Sequence, residues 1–200
     1  SSPSKKIGGV ILEGFNKHIH QTPMMSLSNV FNEEELKNFY DRIYKINPIF
    51  SLTTELKIDG LAVTLIYKNG KFVKDATRGN GVEGEDITNN VITIKTLPLE
   101  LSENIDIEIR GEIYMSHESF KKANEERLNN EQELFANPRN GAAGTIRQLD
   151  SSVVRKRDLS IFVYSIVDAT NFVDTQYDVL KYLKKLGFMV NPNYKLVESF

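Results

Sequence analysis

The sequence predicts an α+β domain built on antiparallel sheets. Several segments have an apolar period of two, and a tight-turn dipeptide, Asn69-Gly70, joins two of them. Helical patterns occur, but they do not alternate regularly with strands as a doubly wound parallel sheet requires. With 200 residues, 40% hydrophobic and 26% charged, the chain can bury a core as one large domain or two small ones. Disorder does not fit that composition.

Residues 1–24 are polar and broken by prolines and glycines, with Val10, Ile11, Leu12 and Phe15 as apolar anchors, so they read as a lead-in segment with ordered structure from Met25. From Asn32 the pattern is helical. Asn32 can cap, Glu35 completes a capping box, Leu36, Phe39, Tyr40 and Ile43 repeat at helical spacing, and Asn47-Pro48 stops the run. Phe50, Leu52, Leu56 and Ile58 then point one way along a strand, with Ser51, Thr53, Glu55, Lys57 and Asp59 on the other side. Residues 61–67 and 71–76 form a hairpin about Asn69-Gly70. Thr77 to Asp86, with three glycines and four charges, reads as a functional loop.

Ile105, Ile107, Ile109, Gly111 and Ile113 alternate with Asp106, Glu108, Arg110, Glu112 and Tyr114, giving a strand with one apolar and one charged face. Ser116 caps a helix through Arg127. Asn137-Pro138-Arg139-Asn140 leads into the small-residue stretch Gly141-Ala142-Ala143-Gly144, which permits close backbone approach, and then into Arg147. Residues 159–167 form a further strand. Residues 174–186 form a helix closed by Gly187, with Val179, Leu180, Leu183 and Leu186 as its buried stripe.

Charge and composition exclude several functions. Lys and Arg total 25 against 27 Asp and Glu, a net charge of −2, which excludes a globally basic nucleic-acid coat protein but leaves room for a locally basic face. No cysteine is present, so disulfides, Cys-based zinc sites and thiol nucleophiles are excluded. His18, His20 and His117 lack ligand spacing beyond one i, i+2 pair and read as surface or packing residues. No apolar run approaches the ~20 residues that span a bilayer, and the first six residues lack the apolar stretch of a secretory signal. A soluble intracellular protein is expected. A first residue of Ser rather than Met suggests a segment excised from a longer chain.

The stretch most suggestive of chemistry is Glu55-Leu56-Lys57-Ile58-Asp59-Gly60. A lysine placed mid-strand between two carboxylates can be held in a cleft and becomes a nucleophile when its neutral amine is accessible. The two acids alone favour the ammonium form, so activation needs cationic help from Arg78, Arg139, Arg147, a metal ion or the substrate. A solvated strand face with ordinary ion pairs accounts for the same pattern. Arg139, between a proline and an asparagine, is costly for a plain turn, which favours a function for it. Glu85 and Asp86 read as solvated adjacent acids rather than metal ligands.

Several blocks in register change that balance. The Lys57 stretch, Thr77-Arg78-Gly79-Asn80-Gly81, Ile109-Arg110-Gly111-Glu112, Asn137-Pro138-Arg139-Asn140 and Arg147-Gln148-Leu149-Asp150 resemble, in order and spacing, the adenylation (nucleotidyltransferase) domain of bacterial NAD-dependent DNA ligases. His20 to Phe31 is similar to the segment that enters that domain. The resemblance implies that Lys57 attacks the α-phosphate of NAD and carries AMP as a phosphoramidate, with Asp59 orienting the lysine or the ribose. It implies that Gly60 lets the nucleotide approach the backbone, that Glu55, Ser26 and Leu27 meet the adenine, and that Glu112 contacts the ribose. Arg78, Arg139 and Arg147 match arginines near the nucleotide and the DNA nick, and guanidinium forks suit phosphate oxygens. AMP would then pass to the 5′-phosphate of the nick, and the 3′-hydroxyl would seal it, with Mg²⁺ assisting.

The implied setting is a monomer in the bacterial cytoplasm, bound to nicked double-stranded DNA and to no membrane. Residues 25–200 correspond to the adenylation domain, incomplete at its C-terminus. The family's later Asp-Gly-Val-Val-Ile-Lys strand and further lysine are absent, as are the small N-terminal subdomain and the zinc-bearing and other DNA-clamping domains. The isolated chain is therefore expected to react weakly or not at all with NAD. Within the motifs, Asn80 stands where the family has Asp, which removes a charge. Gly141 stands where it has Ala, which loosens a helix start by up to ~1 kcal/mol. An ATP-dependent ligase, a capping-type nucleotidyltransferase and a noncatalytic adenylate-binding module are the alternatives, the first two disfavoured by residues 23–27 and 137–140.

Overall fold

A computed structural model describes residues 14–197. Val10, Ile11 and Leu12 of the lead-in segment lie outside them. The strands are β1 (Lys17–Ile19), β2 (Leu52–Glu55), β3 (Leu61–Lys68), β4 (Lys71–Thr77), β5 (Glu83–Glu85), β6 (Ile107–Tyr114), β7 (Ser160–Ile166) and β8 (Tyr194–Val197). The α-helices are α1 (Glu33–Ile46), α2 (Thr88–Val91), α3 (His117–Asn129), α4 (Pro138–Ile146), α5 (Ser151–Lys156) and α6 (Gln176–Leu186). Every strand pairing among the described residues is antiparallel, so the α+β expectation holds.

The central sheet has the order β4-β3-β6-β7. Asn69 and Gly70 take positive φ, 49° and 72°, as a type I′ hairpin turn demands, and set the β3–β4 register. One face of this sheet is apolar. Val63, Leu65, Tyr67, Ile109, Ile113, Ile161 and Val163 lie there, and Val91, Ile146, Val154 and Leu183 from the helices join them in one core. The α6 stripe of Val179, Leu180, Leu183 and Leu186 is buried, and Gly187 closes the helix at φ 111°.

Three expectations are corrected. Regular structure begins before Met25, because β1 pairs with β5 inside the glycine-rich loop, which therefore is not wholly irregular. Residues 50–59 do not form one strand: β2 stops at Glu55, where its pairing with β8 ends, and the chain must cross to the central sheet. The stretch after Asn137 is a helix. Asn137 caps α4 by accepting from the Asn140 N–H at 2.8 Å and Pro138 starts it, so Arg139 follows a favourable helix opening rather than sitting in a costly turn. The α1 cap by Asn32 and Glu35 is as expected, and none of the helix's residues is buried.

Asp75 contradicts the apolar pattern around it. It pairs with Leu65 in the β3–β4 ladder, is fully buried, and neither carboxyl oxygen has a hydrogen-bond partner. Burial, with the nearby Asp86 charge adding to it, pushes this carboxyl well above the usual aspartate range. A folded-state pKa above the unfolded value of 3.8 means that the stability present at low pH is lost as pH rises above that value. The protein should therefore lose stability from about pH 4 toward neutrality, at no more than ~1.4 kcal/mol per pH unit for one proton. Asp75→Ala should flatten that profile and stabilise the fold at pH 7 by about 1–3 kcal/mol. Urea midpoints measured across pH check both. Gly60 is constrained in the opposite way, since a Cβ there would lie 2.2 Å from the Ile113 carbonyl oxygen. Gly60→Ala should cost about 2–4 kcal/mol in the same measurement.

Candidate active site

The second face of the central sheet is polar, because alternation along β6 sends Glu108, Arg110, Glu112 and Tyr114 away from the core. Glu112 is half-buried, opposite Ala62 on β3 and Phe162 on β7. Burial pushes its carboxyl above the ordinary glutamate value, and the Asp59 charge adds to this. The charges of Lys57 and Arg139 and a 3.4 Å hydrogen bond from Tyr164 Oη pull it back. Arg110 is buried, donates to the Thr22 carbonyl at 2.8 Å and lies 3.6 Å from Glu108 Oε1. Glu108 in turn accepts from Thr64 Oγ1 at 2.6 Å.

Tyr164 is a site residue that sequence reasoning missed. The β6–β7 register breaks between Arg110 and Gly111, so Ser165 pairs with Arg110 and Val163 with Gly111, leaving Tyr164 as the extra residue of a bulge. Its hydroxyl donates to Glu112. Burial, then Glu112, raises the phenol far above its usual range, and the charges of Arg110 and Arg78 oppose the shift. The available signal was that Phe162 and Tyr164 share the face opposite Ile161 and Val163.

Lys57 lies just beyond β2 in the crossing segment, not mid-strand, and is exposed. The crossing is anchored by Asn191 Nδ2 on the Leu56 carbonyl at 2.9 Å and by Gly60, buried flush against Ile113. Gly60 is thus required by strand β6 itself. Asp59 Oδ1 lies 3.8 Å from Arg139 Nη1 at the start of α4, both side chains being mostly exposed. Glu55 accepts from Gln176 Nε2 at 3.5 Å, and the same amide donates to the Tyr164 carbonyl at 2.7 Å, which ties the end of β2 to the bulge.

The glycine-rich loop borders this face. Arg78 N–H donates to the Ala62 carbonyl at 2.9 Å, and Gly79 and Gly81 take φ of 57° and 93°. Asn80 Oδ1 accepts from the Val82 and Glu83 N–H groups at 3.0 and 2.8 Å, so its duty is that of an acceptor, which either Asp or Asn supplies. His20 is a packing residue. Its Nε2 donates to the Thr77 carbonyl at 3.0 Å, while the Met24 N–H donates to Gly81 at 2.8 Å, so residues 20–24 are clamped to the loop.

Lys57, Asp59, Glu112 and Arg139 therefore converge, with Tyr164, Arg78 and Arg110 beside them. Arg147 does not join them; its guanidinium is ion-paired with Glu85. Ser26 and Leu27 are exposed and make no hydrogen bond among the described residues. Asp86 is engaged by Lys74 and Thr88, and no three acidic or imidazole groups converge on one point among the described residues. The site thus offers a primary amine, carboxylates and guanidinium groups on one wall, an arrangement suited to holding a phosphate beside a nucleophile.

No helix among the described residues is long and apolar enough to cross a membrane. The chain is 66% identical over 199 residues to a DNA ligase of Acholeplasma laidlawii, and 55% identical over 199 residues to one of Onion yellows phytoplasma. All of this chain is covered in both cases, as against 30% of each relative. A DNA ligase of Bacillus subtilis is 50% identical over 196 residues, covering 97% of this chain and 29% of that protein. The chain thus spans about 30% of the length of the relatives it matches. Residues 12–200 match the family of NAD-dependent DNA ligase adenylation domains, and with the whole of the site described above inside that range, the chain belongs to that family.

Proposed function

We propose that this chain is the AMP-accepting part of an NAD-dependent DNA ligase, with Lys57 as the nucleophile. The observation that carries the reading is the convergence of the Lys57 and Arg139 charges on the half-buried Glu112, with Asp59 paired to Arg139 beside them. The free amine of Lys57 attacks the α-phosphorus of NAD, an N–P bond forms, the P–O bond to nicotinamide mononucleotide breaks, and Nζ sheds its proton. Asp59 orients the lysine or the ribose, and Glu112 accepts from a ribose hydroxyl. Arg78 and Arg139 neutralise developing phosphate charge. Glu55, with Ser26 and Leu27, borders the adenine, and Arg147 leaves Glu85 to meet the nick. AMP then passes to the 5′-phosphate of nicked DNA and is displaced by the 3′-hydroxyl. Mg²⁺ belongs to the reading as a phosphate-neutralising ion, but the described residues build no cage for it, and no step here is routed through it.

In a polypeptide of the relatives' length that contains this chain, NAD labelled in its adenosine half should label the protein and ATP should not. Lys57→Ala should reduce labelling and nick sealing at least ~1000-fold. Labelling by ATP, or labelling that survives Lys57→Ala, overturns the reading. The 200-residue chain alone, incubated with NAD and Mg²⁺ and weighed intact, should carry little or no AMP; a full adduct on Lys57 would sink that expectation. Asn80→Asp should leave labelling within about twofold, whereas Asn80→Ala should destabilise the loop by about 1–2 kcal/mol and weaken it.

A further inference from the structure

Glu112 is framed by rings. Phe162 stands directly opposite it across the β6–β7 ladder, Tyr114 lies two residues on along the same face, and Tyr164 donates to its carboxylate. The Tyr114 and Phe162 rings are stacked, 4.9 Å between centroids and 6° from parallel. Tyr114 also touches the crossing segment, since a Cβ at Gly60 would lie 3.2 Å from the Tyr114 Cβ. The stack therefore spans the gap between the segment that carries Lys57 and Asp59 and the strand position opposite Glu112. Stacked rings have few soft torsions, and their apolar faces exclude water from a neighbouring carboxylate.

We propose that the Tyr114–Phe162 stack is a positioning element for Glu112, a rigid dry wall that fixes the carboxylate against the Lys57-bearing segment. As a statement about catalysis it rests on the adenylation reading; as a statement about Glu112 it does not. Around the carboxylate, the remaining charged and titratable groups are Lys57 and Asp59 on the crossing segment, Arg139 on α4 and Tyr164 on β7, with Arg110 on β6 and Arg78 in the glycine-rich loop acting on Tyr164. Neither Phe162→Ala nor Tyr114→Ala deletes any of these groups.

The test is the pH titration of the Glu112 side-chain carboxyl carbon, followed by NMR in the 200-residue chain. In the unaltered chain it should titrate above the ordinary value of 4.5. Phe162→Ala and Tyr114→Ala should each move the midpoint toward 4.5 by about half a unit or more, and Phe162→Tyr, which keeps the stack, should restore it. If Phe162→Ala fails to fold, Tyr114→Ala carries the test from the other end of the stack. An unchanged midpoint in the folded ring-deletion variants overturns the proposal, whatever the chain does with NAD. In the longer polypeptide, Phe162→Ala should lower the adenylation rate at saturating NAD about tenfold while changing KM less than threefold. A loss confined to KM would overturn the positioning role and leave the adenylation reading standing.

Discussion

Strand β6 is the constraint on which the rest of the structure depends. Its odd-numbered residues bury Ile107, Ile109 and Ile113 in the core, so strict alternation sends Glu108, Arg110, Glu112 and Tyr114 to the opposite face. A slip of one residue would exchange core and site together. Pairing with β3 from Leu61 opposite Ile113 then places Gly60 flush against the Ile113 carbonyl, and only a glycine fits there. The segment bearing Lys57 and Asp59 is thereby delivered next to Glu112 by the same ladder that builds the core.

Electrostatics on this face balance within a small space. Glu112 is half-buried, which disfavours its charge, and the cations of Lys57 and Arg139 oppose that penalty without forming a direct bond. Arg110 is tied to Glu108 and the Thr22 carbonyl, and Arg147 to Glu85, so several of the arginines here already have anionic or carbonyl partners. Carboxylates thus offset the cations locally, in keeping with a chain whose net charge is −2.

The two departures from the family's motifs have different physical meanings. Asn80 preserves the acceptor that two loop N–H groups need, so the missing charge leaves the loop geometry intact. At Gly141 a Cβ would lie 2.7 Å from Met115 Sδ, the space being taken by a flexible side chain. The glycine there accommodates a buried methionine, and the helix propensity it forfeits is offset by that packing.

The fold class, the hairpin and most helix caps were legible because they depend on neighbours close in sequence. Asn69-Gly70 demands its turn, Asn32 and Ser116 accept from N–H groups three residues on, and alternation marks the two faces of β6. Lys57, Asp59 and Glu112 stood out through motifs in register, which are also local. What local pattern could not supply was where strands stop and which distant groups meet. β2 ends at Glu55 only because β8 ceases to pair with it, and β1 exists only because β5 accepts it. Tyr164 meets Glu112 only through the pairing of two strands 52 positions apart in the chain. The sequence by itself determined the fold class, the central hairpin and the two faces of β6, and it singled out the residues proposed for the site. The tertiary structure decided pairing, bulge and ion-pair partners, because these are settled by the free energy of contacts between residues far apart in the chain, such as Asn191 and Leu56, 135 positions apart.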